Sequence, residues 1–450
     1  MPDNAVDILE NELPTDVLNL LLRDHTTGRN IYWATHDYEQ LGKGYEYHSV
    51  LTPKLITDGN EMVVSPRVRK SKEQQTDRSK DMAEVFTPAW VVKKMVDYVD
   101  IDVSTRCLEL TCGEAPFLVS RYDATTGEPI AIGDRVGLLD RKLRLVNDRQ
   151  LSDEDWLAQV RLAFQTTYGY EWQGDSLLLA RQNLLSSFAD YYEARFGSAP
   201  CTPLLQEFAD IIAWNLWQMD GLTYRLPQEK SEGQPQAQLF LFDEAPAKPP
   251  APLCLIKDWQ KGKTIKVIET KNQNNMKFDV IIGNPPYQEE VEGNERYNPI
   301  YNYFMDEAFK NTDIALFITP ARFLFNAGQT PKAWNKKMLQ STHLKVLYYN
   351  QDASTVFPNV ILKGGVSISY YDAHKSFEPI EVFVPLKELQ SIKDKVIGKE
   401  RENKFLPYIM VGAVPYKYSE VFRKERPELA LKTGKSFDLT HIAASVQIHF

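Results

Sequence analysis

The sequence predicts an α/β fold in which a doubly wound, largely parallel sheet is covered by helices on both faces. Short apolar segments bounded by turn residues alternate with segments whose apolar residues recur at helical spacing. Residues 106–123 and 167–185 each run from a strand through a turn into a helix, and Phe278–Ile282 is a short buried strand. Such alternation is typical of sheets that bind ligands at the carboxyl ends of their strands.

The remaining elements follow the same logic. A helix is predicted after Thr87-Pro88, where apolar side chains recur at Val91, Val92, Met95, Val96 and Val99. Residues 314–325 form another strand that ends in a turn. Between the second strand–helix unit and Phe278 we expect an insertion, residues 185–252. Its first part is helical, and its Pro-, Gln- and Ala-rich end, residues 227–252, is expected to be a disordered loop.

The change in sequence texture predicts three parts. Residues 1–78 are a polar N-terminal extension, residues 79–375 hold the α/β domain, and residues 376–450 begin a separate, less regular module. The charged stretch 67–81 is interpreted as a solvated linker rather than a DNA contact. At 450 residues the chain is long enough for a sizeable core.

Composition limits the classes of function. The formal net charge of -9 argues against a surface uniformly basic for nucleic acid, although a local basic groove remains compatible with it. The four cysteines form no CxxC pair and have no histidines at metal spacing, so we expect a reduced, cytoplasmic protein without a metal site. The N-terminus lacks a signal peptide, and no apolar run of about 18 residues predicts a membrane span.

The most informative motif is Asn284-Pro285-Pro286-Tyr287, directly after a predicted strand. An exocyclic amine of a nucleobase is a poor nucleophile because its lone pair is delocalised. Asn284 Oδ1 and the Pro285 carbonyl are suited to accept its N–H groups, the prolines fix that carbonyl, and Tyr287 offers a stacking face. A base must leave the duplex to reach such a turn. For the tetrapeptide alone, an ordinary strand-ending turn is an equally good interpretation.

In the order of its motifs the chain resembles the gamma-class, Taq-type N6-adenine DNA methyltransferases of restriction–modification systems, including the fused type IIG enzymes. The resemblance covers roughly residues 80–373. It implies a class I S-adenosylmethionine-dependent methyltransferase fold, Rossmann-like, with a seven-stranded sheet. It also implies that Tyr287 and Phe357 stack on the two faces of the flipped adenine. A lone Phe is otherwise better interpreted as core.

The resemblance also assigns residues to S-adenosylmethionine. The methionine end of the cofactor would contact the segment Phe86-Thr87-Pro88 and the loop residues Glu109, Thr111, Gly113, Ala115 and Phe117. Gly113 and Ala115 would let the backbone approach the ligand, although Ala115 replaces the usual second glycine.

Two further acids are assigned to the nucleoside end. Glu171 would accept both ribose hydroxyls, although Gln173 stands where the family usually has a second acid. Asp258 would bind the adenine amine. Read without the resemblance, Glu109 and Glu171 are surface acids at strand ends, and Asp258 is a turn residue or helix N-cap.

The implied activity is site-specific, metal-independent transfer of a methyl group to N6 of adenine in double-stranded DNA, with a cognate restriction endonuclease as a further partner. Residues 376–450 would begin a target-recognition module. Family members usually have a longer C-terminal region than these roughly 75 residues, which indicates a truncated module.

Other activities remain open. N4-cytosine methylation uses similar chemistry, but its turn usually begins with Ser or Asp. Glutamine methylation of proteins shares the Asn-Pro-Pro-Tyr motif in shorter chains. A restriction nuclease, or a fragment of a bifunctional restriction enzyme and methylase, is a third possibility. The Asp258, Glu269 and Lys271 spacing matches a nuclease motif, but we interpret that match as fortuitous.

A non-catalytic role is predicted for Gln238-Leu239-Phe240-Leu241-Phe242. This pentapeptide resembles the peptide by which bacterial proteins dock on the replication sliding clamp, with Gln238, Leu239, Leu241 and Phe242 as anchors. The competing interpretation is a local apolar staple that folds back on the domain.

Overall fold

The computed structural model describes residues 13–58, 61–70, 85–227, 250–267, 277–291, 294–358 and 362–385, together with residue 391. The chain divides into a compact unit that ends at Phe383 and a second unit that begins at Val384. The clamp-like pentapeptide 238–242, Glu269 and Lys271 of the nuclease-like spacing, and nearly all of the predicted recognition module lie outside the described residues.

A single seven-stranded sheet organises the described part of the first unit. Its strands, in chain order, are β1 (Cys107–Leu110), β2 (Thr167–Glu171), β3 (Leu216–Gln218), β4 (Phe278–Gly283), β5 (Thr312–Pro320), β6 (Leu344–Asn350) and β7 (Val366–Asp372). Their order across the sheet is β6-β7-β5-β4-β1-β2-β3. The pairs from β3 to β5 are parallel, whereas β7 is antiparallel to both β5 and β6. This architecture confirms the predicted class I methyltransferase fold.

Helices cover both faces of the sheet. They are α1 (Thr15–Leu22), α2 (Pro53–Ile56), α3 (Ala89–Val96), α4 (Leu138–Asn147), α5 (Asp153–Gln165), α6 (Gly174–Phe196), α7 (Thr202–Asn215), α8 (Tyr301–Asn311) and α9 (Lys332–Gln340). Short 3-10 helices span Glu39–Leu41, Arg67–Arg69, Ile132–Asp134, Ala321–Phe325 and Ala353–Thr355.

Two apolar cores lie against the sheet because successive residues of a strand face opposite sides. Val280 and Ile282 of β4 belong to the core that contains α1 and α3 to α7, whereas Ile281 belongs to the core beneath α8 and α9. The predicted helix after Thr87-Pro88 is α3, and its apolar residues Val91 and Met95 are fully buried. No helix in the described ranges is long and apolar enough to cross a membrane.

The N-terminal residues pack directly on the sheet domain. Arg181 of α6 is almost completely buried and donates hydrogen bonds to the carbonyls of Leu21 (2.6 Å), Arg23 (2.9 Å) and Leu216 (2.6 Å). One guanidinium therefore satisfies carbonyls at the end of α1 and at the start of β3. Gln218 of β3 exchanges hydrogen bonds with the backbone of Tyr32. The extension is thus part of the same packed unit.

The expected insertion at residues 185–226 is corrected by the structure. These residues complete α6, form α7 and supply β3, the edge strand next to β2. A strand of three residues is too short to show an alternating pattern, so this stretch resembled extra helix in the sequence. Three two-stranded ribbons complete the described strands: Thr57–Asp58 with Glu61–Met62, Leu255–Asp258 with Lys263–Lys266, and Gln288–Val291 with Asn294–Pro299.

Candidate active site

A cleft of about 440 Å³ lies at the carboxyl edge of the sheet. The chain connects β1 to β2 and β3 on one side and later returns to β4 and β5 on the other, so the strand order reverses between β1 and β4. Open α/β sheets bind ligands in the crevice at such a switch point. Most of the lining residues come from the ends of the first four strands and from the segment before α3, among them Val85, Phe86, Thr87, Glu109, Thr111, Gly113, Phe117, Glu171, Trp172, Asp220, Leu222, Asn284 and Pro286. Gln288, Glu289, Ile300 and Phe304, which follow the Asn-Pro-Pro-Tyr turn, complete one wall.

The loop after β1 forms the floor of the cleft. Thr111 and Gly113 both have left-handed backbone conformations, with φ of 47° and 54°. Glu109 is buried beneath the loop and accepts hydrogen bonds from the backbone N–H groups of Phe117 (3.3 Å) and Leu118 (3.1 Å). Burial raises the pKa of Glu109 well above its ordinary value. The carboxyl therefore holds the loop against the strand end.

Glu171, at the end of β2, braces the same loop. Its Oε2 accepts from Gly113 N (2.8 Å), and its Oε1 accepts from Trp172 N (2.9 Å) and Gln173 N (3.1 Å). The predicted ribose-binding acid thus lines the cleft and is fixed by backbone donors.

The N-terminal extension fixes a wall of the cleft. Trp172 lines the cleft, and its indole Nε1 donates to the hydroxyl of Tyr47 (2.7 Å). Burial raises the pKa of Tyr47, so this hydroxyl keeps its proton while its oxygen accepts that bond. Further along the extension, Lys70 forms an ion pair (2.9 Å) with the fully buried Asp175 at the start of α6.

Asp258 does not line the cleft, so the structure does not bring it together with the other residues predicted to bind the cofactor. It ends a strand of a two-stranded ribbon and lines a separate cavity together with Arg106 and Thr166. Because Arg106 and Thr166 directly precede β1 and β2, this cavity lies at the amino edge of the sheet. The acid in the expected place is Asp220, which follows β3 and lines the cleft. Its Oδ1 accepts from the N–H groups of Leu222 (2.8 Å) and Thr223 (3.0 Å), which shapes the turn at the strand end.

The segment before α3 and the turn after β4 meet across the cleft. Asn284 Nδ2 donates to Val85 O (2.8 Å) and to Thr87 Oγ1 (3.2 Å). These two acceptors fix the orientation of the amide. Asn284 Oδ1 is buried and has no hydrogen-bond partner among the residues that the structure describes. On the other side, Thr111 Oγ1 lies 3.4 Å from Asn284 O.

The other residues of the motif lie deeper. Pro286 lines the cleft, Pro285 is buried, and Tyr287 is buried behind them. The Tyr287 and Phe357 rings have centroids 6.5 Å apart and planes tilted by 60°, and Phe357 is almost completely buried in the core. The structure therefore brings the two predicted stacking residues together, but neither ring lines the cleft itself.

Two predicted contacts are placed elsewhere. Ala115 has a left-handed conformation with φ of 64°, as a glycine would, but its side chain is fully buried in the apolar core and does not line the cleft. Pro88 is the N-cap residue of α3, and its carbonyl accepts from the first turn of that helix. Both residues shape loops beside the cleft rather than its surface.

Among the residues that sequence reasoning missed are Asp220 and Trp172 in the lining of the cleft and Tyr47, which contacts Trp172. Asp220 follows a short apolar stretch that itself follows a helix, the same arrangement that identified Glu171, so a clue was present. Trp172 directly follows Glu171, and an aromatic residue at a strand end was a second clue. Tyr47 has no local sequence pattern, because its contact with Trp172 spans 125 positions of the chain.

The chain was compared with protein families, curated proteins and solved structures. Residues 168–357 match the model of the Eco57I restriction-modification methylase family. This matched segment begins in β2 and ends at Phe357, so it contains β2 to β6 and the Asn-Pro-Pro-Tyr turn. No curated protein sequence matches the chain.

Solved structures with some likeness to the chain include three restriction–modification proteins. The EcoKI M protein of a type I restriction enzyme is 12% identical over 84% of this chain and 63% of its own, with a TM-score of 0.36. A nuclease-deletion mutant of the type ISP enzyme LlaGI, solved with a DNA substrate mimic, is 13% identical over 69% of this chain and 25% of its own, with a TM-score of 0.39. A type I methyltransferase subunit from Streptococcus thermophilus is 14% identical over 65% and 45%, with a TM-score of 0.30. The chain thus covers between a quarter and just under two-thirds of the length of these proteins.

Proposed function

We propose that the protein is a site-specific DNA methyltransferase that transfers a methyl group from S-adenosylmethionine to N6 of a flipped adenine, as part of a restriction–modification system. The observation that carries the proposal is the orientation of Asn284. Because Val85 O and Thr87 Oγ1 hold its Nδ2, its Oδ1 remains available to accept an N–H group from a substrate. The family match of residues 168–357 supports methylase chemistry at this turn.

The residues of the cleft fit S-adenosylmethionine. A volume of about 440 Å³ is in the range of small-molecule sites. Glu171 and Asp220 end adjacent strands, where they would hold the ribose hydroxyls and the adenine amine, and Trp172 provides an apolar wall. The segment Phe86-Thr87 and the loop after β1 would hold the methionine end. When bound, S-adenosylmethionine supplies a methyl group that is activated by its sulfonium charge.

Asn284 and Pro285 would prepare the target amine. Asn284 Oδ1 would accept one N–H of the adenine amine and the Pro285 carbonyl the other, which draws the nitrogen toward a tetrahedral, nucleophilic state. Thr87 fixes the amide, so little reorganisation is needed as the nitrogen attacks. No side chain is assigned as an obligate base, and we propose that the proton is lost to water after transfer.

Tyr287 and Phe357 would hold the base. Their ring centroids are 6.5 Å apart, close to the separation of two parallel rings with a base stacked between them. The planes are tilted by 60°, however, so the two rings do not face each other in parallel. Entry of a flipped base therefore requires one ring to rotate. The Phe357 backbone is fixed by a hydrogen bond from its N–H to Ala353 O (2.8 Å), so we propose that the ring rotates about its side-chain torsions.

Methyl transfer from tritiated S-adenosylmethionine to unmethylated bacterial DNA, followed by digestion to nucleosides, tests the proposal. The wild type should yield N6-methyladenine, and Asn284→Ala should lose at least about a hundredfold in rate while calorimetry shows cofactor affinity close to that of the wild type. Gln288→Ala removes an exposed amide from the same cleft and serves as the matched control. N4-methylcytosine as product, or near-normal turnover by Asn284→Ala, would contradict the proposed reaction.

A further inference from the structure

The stretch from Ile314 to Tyr371 has a charge unlike that of the rest of the chain. It contains six Lys and Arg residues and a single acid, Asp352, although the whole protein carries a formal charge of -9. This stretch contains β5, β6 and most of β7 and the loops between them. An acidic protein that binds nucleic acid needs a locally basic surface, and the composition of this stretch is locally basic.

Two of these cations, Lys332 and Lys336, line one groove, and Arg322 belongs to the 3-10 helix that leads into it. Arg322 Nε donates to Lys363 O (2.5 Å), and Lys332 Nζ donates to Asn326 O in the turn that follows Arg322. Lys332 and Lys336 lie one helical turn apart on α9 and line the same groove, which has a volume of about 800 Å³. We call this the α9 groove.

These cations are not neutralised within the described chain. None of Arg322, Lys332, Lys336 and Lys363 forms an ion pair with a carboxylate in the ranges that the structure describes. Their neighbour Lys337, in contrast, pairs with Asp306 (2.8 Å). Cations that no carboxylate neutralises are the groups that contact phosphates of a polyanion.

The floor of the α9 groove is aromatic. Phe325 is 41% exposed, and its ring packs edge-on against Tyr349 (5.6 Å) and Phe383 (5.5 Å). An exposed aromatic ring beside lysines is a surface that nucleic acids use for sugar and base contacts. One acid, Glu381, also lines the groove.

The strand order relates the start of the groove to the Asn-Pro-Pro-Tyr turn. Parallel strands β4 and β5 are neighbours, with Gly283 opposite Phe317. Asn284 follows the end of β4, and the 3-10 helix Ala321–Phe325 follows the end of β5. The segment that starts the groove therefore leaves the same edge of the sheet, one strand away from the Asn-Pro-Pro-Tyr turn.

We propose that the α9 groove binds the phosphate backbone of duplex DNA beside the flipped nucleotide, with Lys332 and Lys336 at phosphates and Phe325 against a sugar or base. This inference rests on the proposed function and adds the surface that holds its substrate. The contacts are to backbone groups, so they contribute affinity without sequence preference.

Fluorescence anisotropy with a labelled DNA duplex of mixed sequence over a salt series tests this surface. Lys332→Gln/Lys336→Gln should weaken binding and reduce the slope of log K against log salt by about 1 per lysine. The control pair Lys277→Gln/Lys310→Gln removes two lysines that precede β4 and β5 at the opposite edge of the sheet, and it should keep the wild-type slope. Glu381→Gln should tighten binding, because it removes the acid from the groove.

Cofactor affinity measured by calorimetry should be the same in all these variants, which excludes a folding defect. Equal slopes of log K against log salt for the two double variants would overturn the assignment of the groove. If the wild type still transferred methyl groups, the proposed reaction would be unaffected by that result. Lysine-dependent duplex binding without methyl transfer would support the groove and overturn the reaction. A structured RNA that competes at lower concentration than the duplex would overturn the assignment to DNA.

Discussion

Thr87 Oγ1 accepts a hydrogen bond from Asn284 Nδ2 at 3.2 Å, although the two residues are 197 positions apart in the chain. Thr87 belongs to the segment assigned to the methionine end of the cofactor, and Asn284 begins the turn assigned to the target amine. The cofactor side of the cleft therefore orients the group proposed to activate the substrate. This relationship gives the first of four predictions.

Replacing Thr87 by Val removes the acceptor without changing the shape of the side chain. Asn284 then keeps only Val85 O to fix its amide, and we expect the rate of methyl transfer to fall about tenfold, the equivalent of one hydrogen bond. Thr87→Ser retains the hydroxyl and should keep most of the rate. Single-turnover measurements at saturating cofactor separate this effect from cofactor binding, and equal rates for the Val and Ser variants would contradict the prediction.

Asp220, rather than Asp258, should determine affinity for the nucleoside end of the cofactor. Asp220→Asn keeps an Oδ1 acceptor for the N–H groups of Leu222 and Thr223 but replaces the other carboxylate oxygen by a donor. We expect calorimetry to show a loss of about tenfold or more in affinity for S-adenosylmethionine, because a charged acceptor is lost. Asp258→Asn, at the opposite edge of the sheet, should bind like the wild type. A larger loss of cofactor affinity in Asp258→Asn than in Asp220→Asn would support Asp258 as the residue that binds the adenine amine.

Tyr47 should influence cofactor binding although it lies in the N-terminal extension. Tyr47→Phe removes the acceptor of the Trp172 indole N–H and frees a wall of the cleft. We expect cofactor affinity to fall severalfold and the fluorescence change of Trp172 on cofactor binding to decrease. Tyr45→Phe removes a hydroxyl that donates to Leu55 O in the same extension and is the matched control. Similar effects of both variants would indicate general loosening of the extension.

Asp140 should make stability depend on pH. This fully buried carboxyl accepts from the N–H groups of Ser120 and Gly137, and burial raises its pKa from 3.8 to about 6. Between these pH values the folded protein binds more protons than the unfolded chain. The contribution of Asp140 to stability therefore falls as pH rises through this window and is constant above it.

Asp140→Asn removes that titration. The free energy of unfolding of the variant minus that of the wild type should rise by about 2 kcal/mol from pH 4 to pH 7. Urea unfolding at several pH values measures this difference, and its persistence in high salt distinguishes a buried group from surface charge. A difference that stays constant with pH would show that Asp140 has the same proton affinity in both states.

Much of the fold could be predicted from the sequence because its evidence is local. The strand–turn–helix units that contain Glu109 and Glu171 follow from apolar periodicity and from turn residues. The buried strand before Asn284 follows from the same rules. The order of these motifs indicated that they share one edge of a parallel sheet, and the structure places Glu109, Glu171 and Asn284 around one cleft.

What the sequence by itself determined was therefore the fold class, the order of its main strand–turn–helix units and part of the lining of the cleft. Only the tertiary structure distinguished the positions of Asp220 and Asp258. Both acids end short apolar stretches, but Asp220 follows a strand that pairs with β2 and lines the cleft, whereas Asp258 shares a separate cavity with Arg106 and Thr166. The tertiary structure also decided that Ala115 faces the core and that Tyr47 fixes Trp172. Contacts between distant segments depend on how the elements pack, and no local pattern of residues encodes that packing.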